Sequence, residues 1–255
     1  MDAVRMSNGS FKYECLLFDM DDTLYPRSCG LNLACRKKIE EFMLKHLQIE
    51  ESEVPQMCLD MHMEYGTTMA GLKALGYEFD DDEFHAQVHG TLPYEALKPD
   101  PVLRNLLLSM PQRKIIFTNA DKAHAAQVLH RLALEDCFEG VICFETLNNP
   151  SSENKCHGIL CKPSIEAFQA AIIIADIDPG KTIFFDDSAR NIESGKAAGL
   201  HTVIVGSSEL VPGADHALGS IHNIKEALPE LWEGEDNDQA EQAMQSPAVA
   251  TMVLA

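Results

Sequence analysis

One short stretch near the N-terminus, residues 16–25, constrains the fold of this chain more than any other. The apolar run Cys15–Phe18 predicts a short buried strand, and two acids, Asp19 and Asp21, follow it directly. Residues two apart in an extended segment point to the same side, so the two carboxylates share one face. Burying an unpaired carboxylate is costly, and these acids therefore need a cation, a proton or a hydrogen-bonding loop. Because open α/β sheets bind ligands at the carboxyl ends of their strands, the stretch predicts a site of chemistry.

Strand and helix patterns alternate along the rest of the chain. Buried strands are predicted over residues 113–119, 141–144, 182–187 and 201–205, and helices over 102–109, 121–132, 164–175, 188–198 and 224–231. This alternation is typical of parallel βαβ units. We therefore predict an α/β fold with a doubly wound, Rossmann-like parallel sheet.

The segment between the first two strands has no convincing strand pattern. Helical patterns cover residues 31–47, 54–65, 67–75 and 80–89. We therefore predict a small all-helical cap over residues 28–95, inserted after the first strand, and a catalytic core over 13–27 and 96–231. Residues 1–12 are predicted to be a flexible N-terminus. Residues 232–255 are predicted to be an acidic disordered tail, because their composition shifts to Glu, Asp, Gln, Ala and Ser without periodicity.

The charge of the chain limits its partners. A formal net charge of −20 argues against binding to nucleic-acid polymers and anionic membranes, because no basic surface is available. A small phosphorylated metabolite remains compatible, since one lysine and one metal ion reverse the sign locally. The eight cysteines are scattered without a C-x-x-C pair, and no apolar run is long enough to span a bilayer. We expect a soluble cytoplasmic protein that can also reach the nucleus, and the sequence predicts no oligomeric state.

The stretch Asp19-Met20-Asp21-Asp22-Thr23 resembles the D-x-D-x-[TV] signature of the haloacid dehalogenase-like hydrolases. Three further motifs that the phosphatases of this superfamily use occur in the same order: Thr118, Lys162 and the pair Asp186-Asp187. Each motif alone has an ordinary interpretation, such as a helix N-cap, a surface lysine or an acidic turn. Four motifs in the correct order, each after an apolar run, favour the functional interpretation.

The resemblance implies a role for each motif residue. Asp19 is implied to attack phosphorus, and Asp21 to act first as acid and then as base. Thr118 and Lys162 are implied to bind phosphoryl oxygens, and Asn119 with neighbouring amides to orient the nucleophile. The resemblance also implies Mg²⁺ as cofactor, since hard divalent ions prefer oxygen ligands. Its implied ligands are the side chains of Asp19 and Asp187 and the backbone carbonyl of Asp21, with Asp186 binding directly or through water.

More narrowly, residues 18–26, 65–68, 71–72 and 184–188 resemble the pyrimidine 5'-nucleotidase-like branch, which is common in plants and fungi. This resemblance implies a phosphomonoesterase that forms an aspartyl phosphate and acts on pyrimidine nucleoside 5'-monophosphates. The cap residues predicted nearest to the base or sugar are His62, Tyr65, Thr67, Thr68 and His89, with ordinary helix packing as the alternative. Two other functions stay open: a phosphatase of sugar phosphates or other small metabolites, and a catalytically silent binding module on the same fold.

Overall fold

The computed structural model describes residues 11–149 and 158–233, and its centre is a parallel β-sheet. The strands are β1 (Cys15–Phe18), β2 (Arg113–Phe117), β3 (Gly140–Ile142), β4 (Thr182–Asp186), β5 (His201–Val205) and β6 (His216–Leu218). They pair in the order β3-β2-β1-β4-β5-β6, and every pairing is parallel. This order is that of a doubly wound sheet, with the reversal of strand order beside β1. The predicted Rossmann-like fold is confirmed.

The described part of the chain also has ten α-helices. They are α1 (Leu31–His46), α2 (Val54–Tyr65), α3 (Thr68–Ala74), α4 (Asp81–Val88), α5 (Pro101–Ser109), α6 (Lys122–Leu132), α7 (Phe144–Leu147), α8 (Ile165–Ala175), α9 (Ala189–Ala197) and α10 (Ile224–Ala227). Side-chain N-caps mark where several of these helices begin. In each case a side-chain oxygen accepts a hydrogen bond from a backbone N–H that has no partner within the helix. Thr67, Asp80, Asp100, Asp121 and Ser164 act in this way.

The two faces of the sheet bury different residues of the same strands. Leu16 and Phe18 of β1 pack in one apolar cluster, whereas Cys15 and Leu17 pack in another on the opposite face. The strands are therefore almost continuously apolar, as expected for a parallel sheet that helices cover on both sides.

Helices α1–α4 lie between β1 and β2 in the chain, and we call them the helical insert. They pack against one another through one apolar cluster around Met43 and Leu72, and a second cluster around Phe42 and Phe84 also includes Phe144 of α7. The predicted helices of this segment agree with the structure to within two residues at each end. The division into cap and core at residues 28 and 95 stays a prediction.

Several details differ from the sequence prediction. The predicted helix over 224–231 is α10 (Ile224–Ala227) followed by a short 3-10 helix (Pro229–Leu231), and α7 was not predicted. The third strand is Gly140–Ile142 and not residues 141–144, because Cys143 acts as N-cap and Phe144 begins α7. The sequence also missed β6, which has three residues and is too short to show a period-two pattern.

Most of the predicted flexible N-terminus and acidic tail lies outside the described residues. Across residues 11–149 and 158–233, no helix is both long and apolar enough to cross a membrane.

Candidate active site

The carboxyl ends of β1 and β4 place Asp19 and Asp186 on either side of a buried lysine. The two strands pair with Phe18 opposite Phe185, and the Asp19 backbone N–H donates to the carbonyl of Phe185 at 2.8 Å. The Nζ of Lys162 lies 2.7 Å from Asp19 Oδ1 and 2.8 Å from Asp186 Oδ2. The lysine side chain is 1% exposed. Residues separated by 143 positions in sequence thus form one ion-paired group.

Asp187 completes a group of three acids that could hold a metal ion. Oxygens of Asp19, Asp186 and Asp187 all lie within 4.8 Å of one another. Asp186 already accepts hydrogen bonds from the Ser188 backbone and the Asn191 amide, in addition to Lys162. Three carboxylates beside one ammonium group leave excess negative charge, and their hard oxygens suit Mg²⁺. The residues therefore fit the implied ion, and direct ligation by Asp187 stays a prediction.

Burial raises the pKa of two of these acids. The pKa of Asp187 rises to about 7, because burial and the charge of Asp186 disfavour its ionised form. Burial also raises the pKa of Asp19 well above its usual range, although Lys162 acts in the opposite direction. A divalent cation in this group favours the ionised forms of both acids.

Asp21 lies in a separate hydrogen-bonded group. Its Oδ1 accepts from the Tyr25 hydroxyl at 2.5 Å and faces His124 Nε2 at 2.8 Å. Burial raises the pKa of Asp21, but the charge and hydrogen bond of His124 and the hydrogen bond of Tyr25 outweigh burial and lower it. On the other side of the ring, His124 Nδ1 lies 2.7 Å from the Tyr94 hydroxyl, which donates to the His89 carbonyl. A protonated His124, which donates from both nitrogens, satisfies every member of this group.

Thr118 and Asn119 follow β2 directly. The Thr118 hydroxyl oxygen accepts from the Ala120 backbone N–H at 3.1 Å, so it shapes the loop. The Asn119 side chain donates to the Lys162 carbonyl at 2.9 Å and accepts from the Lys162 N–H at 2.8 Å. Asn119 thus holds the backbone of Lys162 rather than Asp19. Contacts of either residue with substrate stay predictions.

A cavity of about 360 Å³ lies between the helical insert and the carboxyl end of the sheet. Its lining includes Asp21, Asn119 and His124 on the sheet side and His62, Thr67 and Thr68 on the insert side. Its volume lies within the range typical of small-molecule sites.

Tyr65 does not line this cavity, although the sequence predicts it beside His62. Its ring lies against Gly71 of α3, where an added Cβ atom would be 3.0 Å from Tyr65 Cδ2. The position of Tyr65 thus matches the alternative of ordinary helix packing.

Comparison with known proteins shows which family this chain belongs to. The family model of the haloacid dehalogenase-like hydrolases matches residues 13–199, which include all four motifs. The chain belongs to the haloacid dehalogenase-like hydrolases. A curated relative, Phosphate metabolism protein 8 of Saccharomyces cerevisiae, is 28% identical over 196 residues. The match covers 73% of this chain and 60% of the length of the yeast protein.

Three solved structures are similar to this chain in fold. CbbY from Rhodobacter sphaeroides, in complex with phosphate, is 16% identical with a TM-score of 0.58, covering 86% of this chain and 99% of CbbY. A HAD phosphatase from Thermococcus onnurineus is 18% identical with a TM-score of 0.54, covering 84% and 96% of the two chains. YfnB from Bacillus subtilis, bound to magnesium, is 19% identical with a TM-score of 0.53, covering 84% and 97%.

Sequence reasoning about this haloacid dehalogenase-like hydrolase missed the partners of its acids. Tyr25 is four residues from Asp21 and belongs to the quoted motif, so a local contact was open to prediction. His124 is 103 residues away from Asp21, and no sequence pattern connects the two. Asn191 was also missed, although its amide donates to both oxygens of Asp186 at 3.0 Å.

Proposed function

We propose that this hydrolase is a Mg²⁺-dependent phosphomonoesterase that works through a phosphorylated Asp19. The main support is the contact of 2.7 Å between Asp19 Oδ1 and Lys162 Nζ, within the group of three acids. A phosphate ester is anionic and is repelled by a carboxylate nucleophile. A buried ammonium group that touches the nucleophile offsets this repulsion.

In the first displacement, an oxygen of Asp19 forms a bond to phosphorus while the ester P–O bond breaks. Asp21 gives a proton to the leaving alkoxide. His124 Nε2, which lies 2.8 Å from Asp21 Oδ1 at the edge of the cavity, supplies this proton to Asp21.

In the second displacement, water attacks phosphorus and gives a proton to the Asp21 carboxylate. The bond between phosphorus and Asp19 breaks, which releases phosphate and restores the carboxylate. Thr118 and Lys162 bind the phosphoryl oxygens. Asp19, Asp187, the Asp21 carbonyl and Asp186 would hold Mg²⁺, and the charge of the ion would offset the charge of these oxygens.

We further propose a pyrimidine nucleoside 5'-monophosphate as substrate. The resemblance to the pyrimidine 5'-nucleotidase-like branch supports this choice. The cavity also offers groups that suit a polar, aromatic ligand, because Arg36 and His62 line it together with the ring of Phe144. Sugar phosphates and other small phosphorylated metabolites are the alternatives within the same chemistry.

The test is phosphate release from UMP, CMP, AMP, GMP and hexose phosphates, each with Mg²⁺ and with EDTA. We expect release only with Mg²⁺, at the highest kcat/KM for UMP or CMP, and none from Asp19→Asn. A preference for a hexose phosphate would replace the nucleotidase assignment and leave the chemistry unchanged.

A matched control is the neighbouring acid Asp22, whose Oδ2 accepts from Asn32 at 3.0 Å. We expect Asp22→Asn to keep most of the activity that Asp19→Asn loses. If the wild-type chain releases phosphate from no ester, the protein is a catalytically silent binding module on this fold.

A further inference from the structure

A second group of metal-ligating side chains lies beside the cavity and does not include Asp19 or its partners. His85 belongs to α4, and His89 follows four residues later as the C-cap of that helix. Asp121 is the N-cap of α6. One nitrogen of each histidine and one oxygen of Asp121 lie within 4.8 Å of one another.

The arrangement of these atoms suits one ion. His85 Nδ1 lies 3.4 Å from Asp121 Oδ2, and His89 Nδ1 contacts the same oxygen directly. Ligands of a tetrahedral zinc ion are about 3.3 Å apart, given bond lengths of about 2 Å. The first distance matches this value, and the contact between His89 and Asp121 must lengthen when an ion enters.

The Asp121 carboxylate is already held in a suitable orientation. Its Oδ1 accepts from the His124 backbone N–H at 3.0 Å, as expected of an N-cap, and this bond directs Oδ2 towards the two imidazole rings. Metal-binding carboxylates commonly have such a second hydrogen bond, which fixes the ligand before the ion binds.

An independent observation at His85 also points to a ligand. Its side chain is 10% exposed, and within the described residues neither of its buried ring nitrogens has a hydrogen-bond partner. Leaving a buried polar group without a partner is costly, and coordination of an ion removes that cost. The ring of Phe144 packs edge-on against His85, with centroids 4.6 Å apart.

We propose that His85, His89 and Asp121 bind a divalent transition-metal ion of the zinc class. Two imidazoles and one carboxylate suit Zn²⁺ and other divalent first-row transition-metal ions, whereas Mg²⁺ prefers oxygen ligands alone. His85 and His89 both line the cavity, so a water or ligand atom can reach the fourth position. The ion connects α4 of the helical insert to α6, which follows β2 of the sheet.

The test is calorimetric titration of the metal-stripped full chain with ZnCl₂, in excess Mg²⁺ so that the group around Asp19 is occupied. We expect the wild type to bind one equivalent of Zn²⁺ and Asp121→Asn to bind it at least about tenfold more weakly. Asparagine is as good an N-cap as aspartate, so this variant keeps the start of α6. We expect His85→Gln to show the same loss.

Two variants serve as controls. His62→Gln removes a histidine from the same cavity but outside the group, and Asp19→Asn alters the other metal site. We expect both to bind Zn²⁺ as the wild type does. Co²⁺ is a second probe, because its tetrahedral complexes absorb strongly in visible light, and we expect this absorption in the wild type but not in Asp121→Asn.

Three results would each overturn the proposal: no Zn²⁺ binding by the wild type in excess Mg²⁺, unchanged binding by a correctly folded Asp121→Asn, or loss of binding in Asp19→Asn alone. Circular dichroism of each variant establishes folding. The test measures binding, so its outcome is independent of whether the chain hydrolyses phosphate esters.

Discussion

Lys162 determines the charge balance of the candidate active site. Its ammonium group donates to Asp19, to Asp186 and to the carbonyl of Phe117, all within 2.8 Å. Burial lowers the pKa of Lys162, but the two carboxylates outweigh burial and raise it. The lysine therefore remains charged, and it holds two acids that would otherwise repel each other.

We expect Lys162→Met to destabilise the protein by about 3 to 5 kcal/mol, because it leaves two buried carboxylates without their counter-charge. Urea denaturation in EDTA measures this difference. The control is Lys38→Met, which removes an exposed pair with Glu41 and should cost less than about 1 kcal/mol. Equal stability of Lys162→Met and wild type would show that the ion pairs do not stabilise the fold.

At the scale of elements, α9 packs unusually close to β4. Gly195 lies in α9 over the ring of Phe184, and an added Cβ atom would lie 2.8 Å from Phe184 Cδ1. Because Phe184 is fully buried, its ring cannot move aside at low cost. This contact fixes the helix that follows the acids Asp186 and Asp187.

We expect Gly195→Ala to lower the free energy of unfolding by about 1 to 3 kcal/mol, since overpacking outweighs the better helix propensity of alanine. Thermal or urea unfolding measures this change in the free energy of unfolding. Gly140→Ala is the control, because an added Cβ there meets nothing within 4 Å. A Gly195→Ala variant as stable as Gly140→Ala would contradict the close packing.

Asp215 connects the end of α9 to β5. Its carboxylate accepts from Lys196 Nζ at 2.6 Å and from the Thr202 backbone N–H at 2.9 Å. Burial raises the pKa of Asp215, but these two hydrogen bonds outweigh burial and lower it. A lowered pKa stabilises the folded state above the unfolded pKa of about 3.9, and that stability is lost as the pH falls through the folded value.

We therefore expect the urea midpoint of the wild type to fall more steeply than that of Asp215→Asn as the pH drops from about 5 to about 3. Asp60→Asn, on the exposed side of α2, provides the background slope. Parallel curves for wild type and Asp215→Asn would exclude a role of this carboxylate in acid unfolding.

At the scale of the whole molecule, a few close contacts join the helical insert to the sheet region. Arg190 of α9 donates to the carbonyls of His62 and Met63 near the end of α2. Gly66, with φ of +89°, lies so near Lys162 that an added Cβ atom would be 2.3 Å from the Lys162 carbonyl oxygen. The insert thus contacts the backbone of the residue that pairs with Asp19.

We expect Gly66→Ala to lower both stability and phosphate release, because the clash displaces Lys162. Gly76→Ala is a matched control, since Gly76 has a similar φ of +86° but nothing within 4 Å of an added Cβ. The control should show only the cost of the left-handed conformation, about 1 kcal/mol or slightly more. Equal stability and kcat in both variants would show that the contact with Lys162 has no consequence.

The sequence by itself determined the fold class, most helices and strands, and the order of the motif residues. It could do so because apolar periodicity and short motifs are local properties of the chain. Asp19, Lys162 and Asp186 were identified from the resemblance, and the positions of Asp19 and Asp186 at strand ends followed from the alternation of elements. The strand β6 was not predicted, because its three residues are too few to form a recognisable pattern.

Only the tertiary structure decided which side chains meet. The contacts of His124 with Asp21, of Asn119 with Lys162 and of His89 with Asp121 span from 32 to 103 residues. Such contacts depend on how parallel strands align and on where the helical insert packs, and no local pattern encodes either. For the same reason Tyr65 packs against α3 instead of lining the cavity.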